Sequence, residues 1–265
     1  MCAMITSNSN TQVKNLIQLT KKAKARKDQG LFVVEGKKMF SEAPREMMHQ
    51  VYVSESFLAS PENNRMLEGI SYEVLSDQIF KSVSDTQTPQ GVLCLMKMPH
   101  YILGDLYRGE KTHLLILESI QDPGNLGTML RTGEGAGISG ILLNRTTVDI
   151  YNPKTIRSTM GSIYRVPFFI TDDLPGALRE LQEEGVQLYA AHLKGTMSYD
   201  EPDYRRACGF LIGNEGNGLS EEIAEAADCY IRIPMEGQVE SLNASIAATL
   251  LMYEVNRQRR APKNI

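Results

Sequence analysis

Five side chains in three separate stretches can do chemistry together. They are Asn125 and Arg131 in DPGNLGTMLRTGEGAG, Glu215 in GNEGNG, and Ser241 and Asn243 in ESLN. An amide, a guanidinium, a carboxylate and a hydroxyl make a set that binds, orients and stabilises charge. Arg131 is the lone charge between Asn125 and Gly133, and an arginine so placed calls for a carboxylate or phosphate partner. Each residue also has a plainer reading. Asn125 follows Pro-Gly and suits the N-cap of a helix; Glu215 suits a solvated loop; Ser241 suits a second N-cap, with Asn243 inside the first turn. The four histidines (His49, His100, His113, His192) are scattered, although His192 closes an apolar run. No Ser-His-Asp set, paired catalytic carboxylates or metal-ligand spacing emerges, so no metal is expected. GNEGNG is neither GxGxxG nor a P-loop, since it lacks the Lys-Ser/Thr pair.

These stretches lie where an open α/β sheet presents its loops. Continuous apolar runs recur at LLILESI (114–120), GILLN (140–144), VPFFI (166–170), QLYAAHL (187–193), GFLIG (209–213) and YIRIP (230–234). Helical stretches separate them at 125–136, 152–162, 173–185 and 220–227, and a last helix spans 241–260 with cations Arg257, Arg259, Arg260 and Lys263 at its end. Uninterrupted apolar strands alternating with helices predict a mostly parallel sheet with helices on both faces. Ligands then bind at the strand ends, where glycine lets them approach the backbone. Gly133 and Gly135 each cost about 1 kcal/mol in a helix interior relative to Ala, so close packing is expected there.

The region before this alternation reads differently. LFVVEG (31–36), QVYVSE (50–55), SYEVLS (71–76) and GVLCLM (91–96) are strands of a smaller α/β domain, with a linker over 99–111 and frayed residues 1–12. We therefore divide the chain into 1–105 and 106–265. A basic helix over 13–27 carries Lys14, Lys21, Lys22, Lys24 and Arg26, the footprint of a phosphate-backbone contact or else a solvated face. The 265 residues carry a net charge of −4 with 42% hydrophobic residues, enough for a sizeable core. Four cysteines (Cys2, Cys94, Cys208, Cys229) show no pairing pattern, which suits reduced thiols. The polar start and the lack of an apolar run of about 18 residues predict a soluble, cytoplasmic protein without membrane association.

Taken together, three ordered stretches resemble the SpoU (TrmH-type) RNA 2′-O-ribose methyltransferases of the SPOUT superfamily. They are LESIQDPGNLGTMLRTGEGAG (117–137), FLIGNEGNGLS (210–220) and IRIPMEGQVESLNASIAA (231–248). NPKTIRSTMGSIYRVP (152–167) matches the segment between the first two. ITSNSNTQVK (5–14) and FVVEGKKMFSEA (32–43) are similar to the substrate-binding domain that often precedes the catalytic one. Gly133 and Gly135 depart from the family's usual Ala.

The resemblance implies S-adenosylmethionine as cofactor, a C-terminal trefoil knot and a homodimer. It implies main-chain cofactor contacts at Gly213, Ile233 and Leu242, with His192, Asn214, Gly218, Met235 and Ser241 nearby. Asn125, Arg131, Glu215, Ser241 and Asn243 become the catalytic set, and Arg131 and Arg157 join the basic helix as RNA contacts. Ribosomal RNA is the expected substrate, with transfer RNA, or a catalytically silent RNA-binding role, as alternatives. A nucleotide-binding oxidoreductase is disfavoured, because no strand ends in GxGxxG.

Overall fold

The computed structural model describes residues 4–260; Cys2 and Lys263 lie outside them. The early elements are α1 (Thr11–Lys21), α2 (Ala23–Gln29), β1 (Leu31–Glu35), α3 (Lys37–Glu42), β2 (Met48–Ser54), α4 (Glu55–Leu58), α5 (Pro61–Met66), β3 (Tyr72–Leu75), α6 (Asp77–Val83) and β4 (Val92–Lys97). Then come β5 (His113–Leu117), α7 (Pro123–Ala136), β6 (Gly140–Asn144), α8 (Pro153–Thr159), β7 (Phe168–Thr171) and α9 (Leu174–Glu183). The chain closes with β8 (Gln187–Ala191), β9 (Met197–Ser198), β10 (Cys208–Ile212), α10 (Glu221–Glu225), β11 (Cys229–Arg232) and α11 (Ala244–Arg260). Two compact units result. One takes the chain to His100 together with Asp149–Tyr164; the other takes Tyr101–Val148 and the chain from Arg165 onward.

The first unit is a four-stranded sheet in the order β1-β4-β2-β3, antiparallel except for the β2–β3 pair. Residues 1–12 were expected to fray. Instead Ile5 is buried and bridges Leu75, its N–H donating to Val74 O and its carbonyl accepting from Ser76 N. The basic helix is also two helices. Lys22 is extended, and Arg26 folds back so that Nη1 donates to Leu19 O and Thr20 O, carbonyls that the end of α1 would leave unpaired.

The segment 149–164 was expected in the second domain but packs with the first. Asp149 pairs with buried Arg26 at 2.5 Å, the Tyr151 ring lies 4.8 Å from Phe32, and the Tyr164 hydroxyl donates to Met39 O.

The second unit is a seven-stranded sheet in the order β7-β6-β5-β10-β8-β11-β9, with every pair parallel. β5 and β10 are buried at every residue, as strands covered on both faces must be. On one side Leu174, Leu178 and Leu181 of α9 and Ile223 of α10 pack against Leu114, Leu188 and Leu211. The linker region also contributes: Leu103 and Leu106 are buried in this core.

Helices α7 and α11 pack together, and the glycines of α7 explain how. A Cβ on Gly133 would lie 2.4 Å from Ile138 Cδ1 and 3.3 Å from Met252 Sδ; one on Gly135 would lie 3.0 Å from the Tyr253 hydroxyl. The C-terminal turn of α11 is anchored by Arg259, which donates to the carbonyls of Lys111, Thr112, Tyr204 and Arg206. Burial, with Arg259 beside it, holds His113 down at about 3, so that imidazole stays neutral at physiological pH.

Candidate active site

Loops at the carboxyl ends of β5, β8, β10 and β11 meet in the second unit. The start of α7 is capped by Asp122, whose carboxylate accepts from Asn125 N at 2.8 Å, with Pro123 at the first helical position. Asn125 is therefore not the cap that its sequence position suggests, and its side chain is free for other work. Asn125 Nδ2 donates to Glu215 Oε1 at 3.0 Å, and Asn125 Oδ1 accepts from Asn243 Nδ2 at 3.1 Å. Asn243 Oδ1 in turn accepts from the N–H and the hydroxyl of Ser245. Helix α11 is thus capped by Asn243, where Ser241 was expected to be the cap; the helix begins at Ala244, three residues later than predicted.

Glu215 also accepts from the backbone N–H groups of Gln121 and Asp122, at 2.9 and 3.0 Å. Partial burial disfavours the charge, but the Asn125 amide and the two backbone donors outweigh it and hold the carboxyl below its usual range. Glu215 is therefore ionised, with its lone pairs committed to positioning. Glu215, Asn125 and Asn243 tie three sequence-distant loops together. Arg131 stands apart: it is exposed and makes no hydrogen bond or ion pair among the described residues.

Beside this chain lies a cavity of about 440 Å³, and all eight residues expected at the cofactor line it: His192, Gly213, Asn214, Gly218, Ile233, Met235, Ser241 and Leu242. Glu215 lines it too. Asn214 shapes one wall. Its Oδ1 accepts from Gly216 N and Asn217 N, and its Nδ2 donates to Ser119 O. Any Cβ on Gly213 would fall 2.0 Å from Gly218 C and 2.1 Å from Leu219 N, so only glycine permits this turn. The opposite wall runs from Ile233 to Leu242, and its main chain makes no hydrogen bond among the described residues. His192 closes one end, with Nδ1 accepting from Lys194 N and the ring 5.2 Å from Tyr230. A pinched glycine turn facing a stretch of unengaged backbone suits S-adenosylmethionine, which offers an adenine edge and an amino-acid end to main-chain groups.

The expected RNA contacts divide. Lys14, Lys21, Lys22 and Lys24 are exposed on the first unit, whereas Arg26 is 3% exposed and committed to Asp149 and two carbonyls, so it is not free to meet RNA. Arg157 pairs with Asp85 at 2.7 Å within the same unit. Ser241 lines the cavity and makes no hydrogen bond among the described residues. Three groups went unnoticed in sequence: Gln121, Ser119 and Thr146. Ser119 adopts a left-handed φ of 58°, unusual for a residue with a side chain, and its hydroxyl meets that of Thr146 at 2.6 Å. No sequence pattern announces them; only the position of Gln121 before Asp122-Pro123 was a signal. Among the described residues no group of His, Cys, Asp and Glu is placed to hold a metal, Cys94, Cys208 and Cys229 are free, and no helix is long and apolar enough to cross a membrane.

Comparison with known proteins is consistent along the whole chain. Residues 112–253 match the SpoU rRNA Methylase family, and residues 10–94 match the MRM3-like substrate binding domain. The 23S rRNA (guanosine(2553)-2′-O)-methyltransferase RlmP of Bacillus subtilis is 32% identical over 253 residues, which is 95% of this chain and 98% of that protein. The crystal structure of an AdoMet-bound rRNA methyltransferase from Sinorhizobium meliloti is 29% identical, covers 98% of this chain and 99% of its own, and superposes with a TM-score of 0.87. The SpoU methyltransferase AviRb of Streptomyces viridochromogenes, crystallised with AdoMet and 24% identical, shares the fold over 94% of this chain and 98% of its own, with a TM-score of 0.86. The chain belongs to the SpoU family of SPOUT methyltransferases, and its reaction is transfer of a methyl group from S-adenosylmethionine to a ribose 2′-hydroxyl of RNA.

Proposed function

We propose that the RNA is ribosomal, that the first unit grips it, and that the protein acts as a cytoplasmic homodimer. The observation that carries the site assignment is the Glu215–Asn125–Asn243 chain bordering the cavity. Ribosomal RNA is favoured by the 23S rRNA specificity named for the Bacillus subtilis relative and by the exposed lysines of α1 and α2. A homodimer is supported by Ile246, Leu250 and Tyr253. These share one face of α11 and are 50%, 37% and 44% exposed, an apolar stripe a second copy would cover. The trefoil crossing belongs to the same proposal; its support is that β10 and β11 flank the earlier strand β8, while their loops converge on one cavity.

The cofactor, when bound, supplies an electrophilic methyl group on a sulfonium. The protein's part is then positioning and management of one proton. Asn125, locked by Glu215 and Asn243, presents a rigid amide edge to the ribose. Glu215, ionised and saturated with donors, holds that edge and does not serve as the base. Arg131 carries a planar fork of N–H donors suited to oxyanions, so its role is to bind the neighbouring phosphate and stabilise the forming 2′-alkoxide while the proton leaves to water. An Arg131→Ala protein should lose about 100-fold in kcat with its cofactor affinity intact; methylation at the wild-type rate would overturn the role. Mapping 2′-O-methyl groups in cellular RNA with and without the protein tests the substrate. A site lost from ribosomal RNA is expected, and a site lost only from transfer RNA would overturn it.

A further inference from the structure

The residue immediately before the capped helix has a side chain whose two ends are treated unequally. Gln121 Nε2 donates to Ser119 O at 3.0 Å and to Thr146 O at 3.3 Å. The amide can point only one way, because the reverse orientation would set Oε1 against two carbonyl oxygens. Oε1 therefore faces solvent, and no described residue donates to it. The backbone beneath is just as fixed: Gln121 N donates to Glu215, the carboxylate that both lines the cavity and holds Asn125. A preset acceptor thus stands on the loop that leads into Asn125, beside the carboxylate that holds that amide.

From this geometry, and resting on the RNA methyltransferase reading above, we propose that Gln121 Oε1 selects guanine at the target nucleotide. A lone carbonyl oxygen reads N–H donors, and the four RNA bases offer them differently. Guanine places N1–H beside its 2-amino group, two adjacent donors for the two lone pairs of one acceptor. Adenine and cytosine set their amino group next to an acceptor ring nitrogen, which repels Oε1. Uracil flanks its single N–H with two carbonyl oxygens. The shelf beneath holds the reader in place. Ser119, in its left-handed conformation, turns its carbonyl towards the Gln121 amide, and Asn144 secures it by accepting from Ser119 N and donating to Ser119 Oγ. A site built with fixed polar groups rejects the wrong ligand because those groups are left unpaired.

The test compares a transcript carrying guanosine at the mapped target with one carrying inosine, which lacks only the 2-amino group. Wild-type protein should lose about tenfold in kcat/KM on inosine, the worth of one well-placed hydrogen bond. Gln121→Met keeps the length but not the acceptor. It should act equally on both transcripts, more slowly than wild type on guanosine, with unchanged S-adenosylmethionine affinity by calorimetry. The proposal is overturned if the mapped target is not guanosine, if wild type treats the two transcripts alike, or if Gln121→Met retains the tenfold preference. Failure of the underlying function would look different: wild-type protein would methylate no transcript at all.

Discussion

The two units of this chain carry opposite charge. The first has three more Lys and Arg than Asp and Glu, the second has seven fewer, and together they make the net charge of −4. The cationic unit contributes none of the residues lining the cavity, while the anionic unit holds the whole of it. On the proposal that the first unit grips the RNA, attraction to a polyanion and the chemistry performed on it are separated. The cavity lining itself is balanced, with Glu215 and Glu240 against Lys194 and Arg232, so the excess cationic charge that attracts phosphate lies in the first unit. A mild overall charge says little about partners until it is resolved by region.

This division can be broken from either side. The largest effect is expected in the anionic unit at Gly213. Gly213→Ala forces a Cβ into the Gly218–Leu219 backbone, and cofactor binding measured by calorimetry should fall at least about 100-fold, while RNA affinity is retained. In the cationic unit, replacing Lys14, Lys21, Lys22 and Lys24 with Ala should leave cofactor affinity alone. It should weaken RNA binding roughly tenfold or more and flatten its logarithmic salt dependence by about 0.7–0.9 per phosphate contact removed. Arg26→Ala sharpens the contrast, since Arg26 is cationic but buried. It should lower stability by about 2–3 kcal/mol without changing the salt slope.

The smallest effect concerns pH. Glu215 has a lowered carboxyl pKa in the folded state, so its contribution to stability is complete above the unfolded value. It is lost as pH falls through the folded one. Denaturant midpoints measured from neutral to acid pH should fall more steeply for wild type than for Glu215→Gln across that window. Parallel curves would remove the carboxylate from the network.

The parallel sheet was legible because doubly covered strands read as unbroken apolar runs, and β5, β6, β8 and β10 lie where those runs predicted. The ends of elements were not. QLYAAHL gives up its last two residues because His192 turns away to bind Lys194 N, and the final helix waits for Asn243 because an amide there satisfies two donors of the first turn. The eight cavity residues were found through resemblance, since nothing in GNEGNG alone distinguishes a cofactor wall from a surface turn. The placement of 149–164 was beyond sequence. It depends on Asp149 meeting Arg26 across more than a hundred residues, and each partner alone resembles an ordinary surface charge. Gln121 was missed for a similar reason, because its meaning lies in which of its two amide atoms is already engaged.

The unengaged backbone between Ile233 and Leu242 has a consequence for timing. Its main chain makes no hydrogen bond among the described residues, and it runs into Asn243, the third member of the positioning chain. Bound S-adenosylmethionine gives these main-chain groups partners, so loading should steady the wall and, through it, the donation from Asn243 to Asn125 that the structure already holds. Deuterium uptake reads this directly: amides of this wall should exchange within seconds in the free protein and slow when S-adenosylmethionine is added, before any RNA is present.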